Sequence, residues 1–152
     1  MGARALMRPF RALALACLLL PAPAFAQQAS PVGQWRTIDD HSGKPRSVVE
    51  VHANPDGTLS ARIVRLLDLS NGPNPLCDAC RGHLHGKPVL GMEIAWGLRR
   101  DGGGWSGGRI VDPDSGKEYA VKFTPGKDGR TLEVRGYIGF SLLGRTQVWQ
   151  RE

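Results

Sequence analysis

Apolar and polar side chains alternate along most of this chain, in short runs separated by clusters of turn-forming residues. A period of two sends successive side chains to opposite faces, so each run predicts a strand with one dry side. Eight such strands are read: Gly33 to Ile38, Ser47 to His52, Thr58 to Leu67, Val89 to Arg99, Trp105 to Asp112, Glu118 to Phe123, Thr131 to Gly136 and Arg145 to Arg151. Between them stand Asp39 to Gly43, Asn54-Pro55-Asp56-Gly57, Asp101-Gly102-Gly103-Gly104, Asp112-Pro113-Asp114-Ser115-Gly116 and Gly126-Lys127-Asp128-Gly129. These residue types accept hairpin geometry. No stretch keeps a 3.6-residue period long enough to predict a helix.

Consecutive hairpins make an antiparallel sheet, and the alternation says which faces are buried. Leu90, Met92, Ile94, Trp96 and Leu98 are expected on one face, Tyr119, Val121 and Phe123 on another, and Leu132 with Val134 on a third, opposite Glu133 and Arg135. Left open, eight such strands would expose two sheet edges; closing the sheet removes both. The predicted fold is therefore all-β, an eight-stranded antiparallel meander barrel with one long loop between its third and fourth strands. The closing strand sets Thr146, Val148 and Gln150 against Gln147, Trp149 and Arg151, and is expected to pair with the first strand around Gly33-Gln34-Trp35. A barrel of this size is either filled by side chains or holds one small ligand.

The N-terminus changes the picture of where this happens. Arg4, Arg8 and Arg11 precede an apolar run from Ala12 to Leu20, and Ala24-Phe25-Ala26 offers the small-x-small pattern of a cleavage site. Residues 1 to 26 are read as a cleaved export signal, giving one domain at 27 to 152 and a periplasmic location. The apolar run is too short to span a bilayer, and no second one follows. Cys17 does not make a lipid-anchor site, because Leu15 falls one place too late and further apolar residues follow. Three of the 20 basic residues leave with the leader, so the mature chain carries 17 against 14 acidic residues, a net +3. The charges are interspersed, and nothing marks a nucleic-acid surface.

Two places break the regular spacing. The connection from Asp68 to Pro88 is far longer than a hairpin needs, and such loops tend to be functional or disordered. It holds Cys77-Asp78-Ala79-Cys80, then His83 and His85. These cysteines are the only two left after the leader is removed, and in an exported protein a Cys77–Cys80 disulfide is the default. A zinc site from Cys77, Cys80, His83 and His85 has suitable donors, although the His-x-His spacing is tighter than usual. A redox dithiol is the third reading.

The second break lies between Arg135 and Arg145. Ile138, Phe140, Leu142 and Leu143 sit there among glycines, and inward packing at one end of the core is expected; the alternative is an apolar tip at the barrel mouth. The flanking arginines are expected to stack on Trp35 or Trp149 and tie the barrel ends together, with orientation of an anionic ligand as the other option.

Chemistry-bearing motifs are sparse. Asp112 to Gly116 resembles the start of a calcium loop, but its twelfth position is Phe123 and no helices flank it, so a hairpin turn is expected. There is no Gly-x-Ser-x-Gly elbow, no His-Glu-x-x-His and no phosphate loop. His41 and His52 fall on a turn and a strand end, where solvated histidines are ordinary. No cofactor is called for, and a non-enzymatic role is expected.

Read together, Gly33-Gln34-Trp35, the Cys77-x-x-Cys80 pair before Gly91-Met92-Glu93-Ile94, Trp105-Ser106-Gly107-Gly108-Arg109-Ile110 and the segment from Leu132 to Trp149 resemble a family of small exported bacterial proteins grouped as a domain of unknown function. The resemblance covers nearly the whole mature chain and brings no assigned activity. Gly33-x-Trp35 is also similar to the opening of lipocalin-like barrels, in which a basic residue near the last strand packs across the tryptophan; Arg151 or Arg145 would take that part. The lipocalin resemblance implies a small apolar ligand inside the barrel, lined here by Trp96, Tyr119, Val121, Phe123 and Val134, with the Asp68 to Pro88 loop as gate. Three roles follow: a binding module for a small hydrophobic or amphipathic molecule, a cell-envelope scaffold working through Arg135, Phe140, Leu142, Leu143 and Arg145, or a metal or thiol protein acting through the cysteine loop.

Overall fold

The computed structural model describes Gly2, residues 29–140 and residues 142–152. Apart from Gly2, the expected leader at 1 to 26 lies outside the described residues. Eight strands run in chain order: β1 (Gly33–Ile38), β2 (Pro45–Ala53), β3 (Leu59–Leu66), β4 (Glu93–Asp101), β5 (Gly104–Val111), β6 (Glu118–Pro125), β7 (Thr131–Tyr137) and β8 (Gly144–Arg151). Each pairs antiparallel with the next, and β8 returns to β1 through Trp35 opposite Arg151 and Arg36 opposite Gln150, closing the barrel. Among the described residues no helix is long and apolar enough to cross a membrane.

The turns fall at two ends. Those after β1, β3, β5 and β7 gather at one end, here called the mouth; those after β2, β4 and β6 gather at the other. The expected hairpin at Asp112 forms at the mouth: the Asp112 amide donates to Lys117 O at 2.9 Å, and the Ser115 hydroxyl donates to Asp112 Oδ2 at 2.7 Å.

The closed end is packed solid. Trp35, Leu59, Leu98, Phe123 and Leu132 are fully buried there, each on the inward-facing side of its strand. On the outer wall Glu152 bridges Arg36, at 2.7 Å, and Arg65. Val48, flanked in register by those two arginines, is fully buried beneath them.

One strand departs from simple alternation. β4 begins at Glu93 rather than Val89, and Leu90 is exposed in the turn before it. Along β4, Glu93, Ala95 and Leu98 oppose Arg62, Ala61 and Leu59, so β4 spends an extra residue in each of two steps. Each bulge shifts the parity by one residue. The first turns both Ile94 and Ala95 into the core; the second returns Leu98 to it after Trp96 has gone elsewhere. Trp96, expected beside Ile94 and Leu98, instead pairs with the exposed Arg109 and is half-buried.

Candidate functional site

The mouth half of the barrel is hollow. A cavity of about 1220 Å³ sits there, and its deep part is mainly apolar: Ile63, Ile94, Val111, Val134 and Trp149 are all nearly or fully buried around it. Trp149 forms the floor, tilted at 59° against Phe123 with ring centroids 5.9 Å apart. The barrel is thus filled at one end and open at the other, a combination of the two interiors that an eight-stranded barrel allows.

A polar track climbs one wall from floor to rim. Residues of one strand that share parity share a face, so Arg145, Gln147 and Trp149 of β8 all turn inward, beside Gly136, Val134 and Leu132 of β7. Trp149 Nε1 donates to Gln147 Oε1 at 3.2 Å, Gln147 Nε2 donates to Asp40 Oδ2 at 3.4 Å, and Arg145 forms an ion pair with the same Asp40 carboxylate. Tyr119 of β6 adds a phenol to the lining next to this track, beside Gly136 of β7. Across the rim Arg46 pairs with Asp114 at 2.5 Å, and this carboxylate holds the guanidinium firmly protonated. The arrangement presents apolar surface below and hydrogen-bonding groups above, the layout that accepts an amphipathic molecule tail first.

The long loop, residues 67–92, forms the far side of the mouth through Asn71, Pro75, Leu76, Asp78 and Ala79. Cys77 and Cys80 are joined by a disulfide. Around it Gly86 N donates to Cys77 O at 3.0 Å, Cys77 N to Lys87 O at 2.9 Å, and Leu76 bridges to Pro88. A short 3₁₀ turn, Gly82–Leu84, buries Leu84 under the loop. The loop is docked on the barrel by the β5–β6 turn: Gly116, at φ 66°, approaches so closely that a Cβ would stand 1.8 Å from Ala79 O. With both sulfurs bonded to each other, neither is available as a thiolate ligand. His83 and His85 are exposed, and His85 Nδ1 lies 3.1 Å from Cys80 O. Among the described residues no group of three or more His, Cys, Asp or Glu side chains is placed to hold a metal ion.

The remaining predicted residues fall as follows. Tyr119 and Val134 line the cavity, Val121 and Phe123 are fully buried in the packing, and Trp96 is not in the lining. Gly33, Trp35 and Arg151 meet at the closed end: the Arg151 guanidinium lies 4.1 Å from the Trp35 ring centroid, and a Cβ on Gly33 would stand 2.6 Å from Arg151 Nη1. Arg135 and Arg145 do not stack on either tryptophan. They occupy opposite faces of the sheet, Arg135 outward with Thr146 at 2.8 Å and Arg145 inward with Asp40.

The inward packing expected for the β7–β8 loop is overturned. Ile138, Phe140, Leu142 and Leu143 are 66%, 79%, 88% and 72% exposed. The loop turns away because β7 and β8 pair right to Tyr137 and Gly144, which leaves too little chain to fold back into the barrel. Ile138 and Leu143 still reach the cavity edge. Sequence reasoning missed Asp40, Gln147 and Ile63; the parity of Gln147 with Trp149 was the one signal available.

A family model described as an uncharacterized protein conserved in bacteria, DUF2147, matches residues 33–151. The chain belongs to this family. That match spans every strand of the DUF2147 barrel described above. In structure it is similar to a Helicobacter pylori protein described as belonging to the lipocalin family, with a TM-score of 0.70 at 20% identity over 82% of this chain and 84% of the other. The likeness establishes a lipocalin-like fold. No curated protein matches the chain in sequence.

Proposed function

We propose that this DUF2147 protein is an exported, non-enzymatic binding module that holds one small hydrophobic or amphipathic molecule in the mouth half of its barrel and works in the periplasm. The observation that carries the reading is the cavity: about 1220 Å³ over an apolar floor, with an arginine, a glutamine and a tyrosine near its rim. That volume is large enough for a ligand of ordinary small-molecule size. The likeness to a protein described as a lipocalin supports the same use, since barrels of eight strands leave room for one small ligand. The leader at 1 to 26 supports export.

The polar track gives the ligand its direction. An apolar tail would rest on Trp149, Val134 and Ile94, and a polar head would meet Gln147 and the Arg145–Asp40 pair. The test is native mass spectrometry of the chain purified from periplasm without extraction. A retained organic mass that is lost when Val134→Trp fills the cavity supports the reading. A chain that arrives empty, and that also fails to take up an added apolar fluorophore, overturns it.

A further inference from the structure

Ten large apolar side chains are exposed among the described residues, and eight of them belong to two loops at the mouth, 67–92 and 138–143. The other two are Val32, beyond the closed end, and Val148, on the outer wall. An apolar surface gathered at one end of a barrel marks a contact site. Between Arg135 and Arg145 the chain runs Gly136-Tyr137-Ile138-Gly139-Phe140-Ser141-Leu142-Leu143-Gly144 without a charge. Leu142 and Phe140 are its most exposed members, and the loop is braced from its base, where Arg135 Nη2 donates to Leu142 O at 3.3 Å.

We propose that the mouth docks on a phospholipid surface, with Phe140 and Leu142 inserted into the acyl boundary and the arginines at the base of the loop level with the headgroups. An uncharged apolar tip above basic residues is the layout of a segment that lies in a membrane interface. The surrounding turns carry both signs: Lys44, Arg81 and Lys87 stand among Asp39, Asp68 and Asp78. A mouth of mixed charge complements a zwitterionic headgroup layer, which presents phosphate and ammonium together, and gives no net pull toward an anionic one. The loop is continuous with the cavity through Ile138 and Leu143, so a docked mouth would open onto lipid rather than water. The inference goes beyond the ligand reading, and vesicle binding is measured separately from ligand retention.

The experiment is flotation of the chain from Gln27 onward with vesicles of phosphatidylcholine and phosphatidylethanolamine. The protein is expected to float, and to stay bound in 1 M salt. Phe140→Asp with Leu142→Asp is expected to lower the bound fraction at least about tenfold, since each loses a buried apolar side chain, while urea unfolding is unchanged because both positions are exposed. Val148→Asp, also exposed but on the wall, is expected to float as the unsubstituted chain does. Failure of that chain to float, release by salt, or equal flotation of the double variant would each overturn the proposal. So would self-association in solution that the double variant abolishes without any vesicle binding, since the tip would then be a contact between copies.

Discussion

Arg151 covers Trp35. Its guanidinium lies 4.1 Å from the indole centroid while Nη1, Nη2 and Nε donate to Val32 O at 3.2 Å, Ser30 O at 2.8 Å and Gly129 O at 2.6 Å. The same indole donates from Nε1 to Pro31 O at 2.7 Å. One side chain from the last strand thus joins the segment before β1, the β6–β7 turn and the buried ring of β1. Arg151→Ala is expected to cost about 2 kcal/mol, less than its cation–π contact and three hydrogen bonds would sum to, because the guanidinium is exposed and water competes for each of them. Arg151→Lys should recover less than half, because an ammonium cannot reach three carbonyls in one plane. Urea denaturation of both variants checks this.

Gly116 is the point where the long loop meets the barrel. Alanine there would combine an unfavourable positive φ with a clash against Ala79 O, and backbone cannot step aside as a side chain can. Gly116→Ala is expected to raise amide exchange across residues 76–88 while β1 and β8 keep their protection. Hydrogen exchange resolved along the chain reads both.

The disulfide closes a very short ring, so its contribution through the unfolded chain is modest, about 2 kcal/mol. Replacing Cys77 and Cys80 together by serine should lower stability by about that amount and loosen the loop without opening the barrel. Circular dichroism would keep its β signature, and the amides of residues 80 and 86, both bonded to the carbonyl of residue 77, would lose protection first.

Three turn aspartates couple stability to acid. The Ser42 amide and hydroxyl hold Asp39 below the usual carboxylate range; the Thr58 hydroxyl and amide do so for Asp56, and the Ser70 amide and hydroxyl for Asp68. A carboxylate with a depressed folded pKa contributes stability that is present above its unfolded pKa, near 4, and lost as pH falls through the folded value. Unfolding midpoints should therefore drop below about pH 4, and the triple Asp→Asn variant should show a flatter acid limb. Thermal melts across pH 2 to 6 would reveal an unchanged slope if these turns were irrelevant.

Gly136 lines the cavity and a methyl would just fit there: its Cβ would meet Tyr119 Cβ at 3.5 Å, an ordinary contact. Gly136→Ala should leave ligand uptake nearly intact. Gly136→Leu, projecting into the cavity, is expected to weaken it at least about tenfold, the equivalent of about 1.4 kcal/mol. Fluorophore titration of the two variants, with melting points alongside, separates blockage from unfolding.

Much of this architecture is legible in the chain. The eight strands lie within a few residues of their predicted limits, because period-two alternation and turn residues are local signals. Alternation alone puts Trp96 on the wrong face, because two bulges in β4 change parity twice and a bulge leaves no mark in the alternation itself. The apolar residues after Tyr137 predict an inward loop; composition says that a side chain leaves water readily, and only the pairing of β7 with β8 says whether it can.

Sequence alone determined the all-β barrel, its closure by the last strand and the place of the long cysteine-bearing loop, since each rests on neighbours in the chain or on removing exposed sheet edges; the Cys77–Cys80 bond was chosen over a zinc or redox pair by the structure. Tertiary structure decided that the barrel is solid around Trp35 and hollow above Trp149, because packing depends on which side chains meet across the interior. It also brought Asp40 to Arg145, 105 positions away, and Gln147 between that pair and the floor. Such contacts arise from closing the sheet on itself, and no spacing within the chain encodes the distance they span.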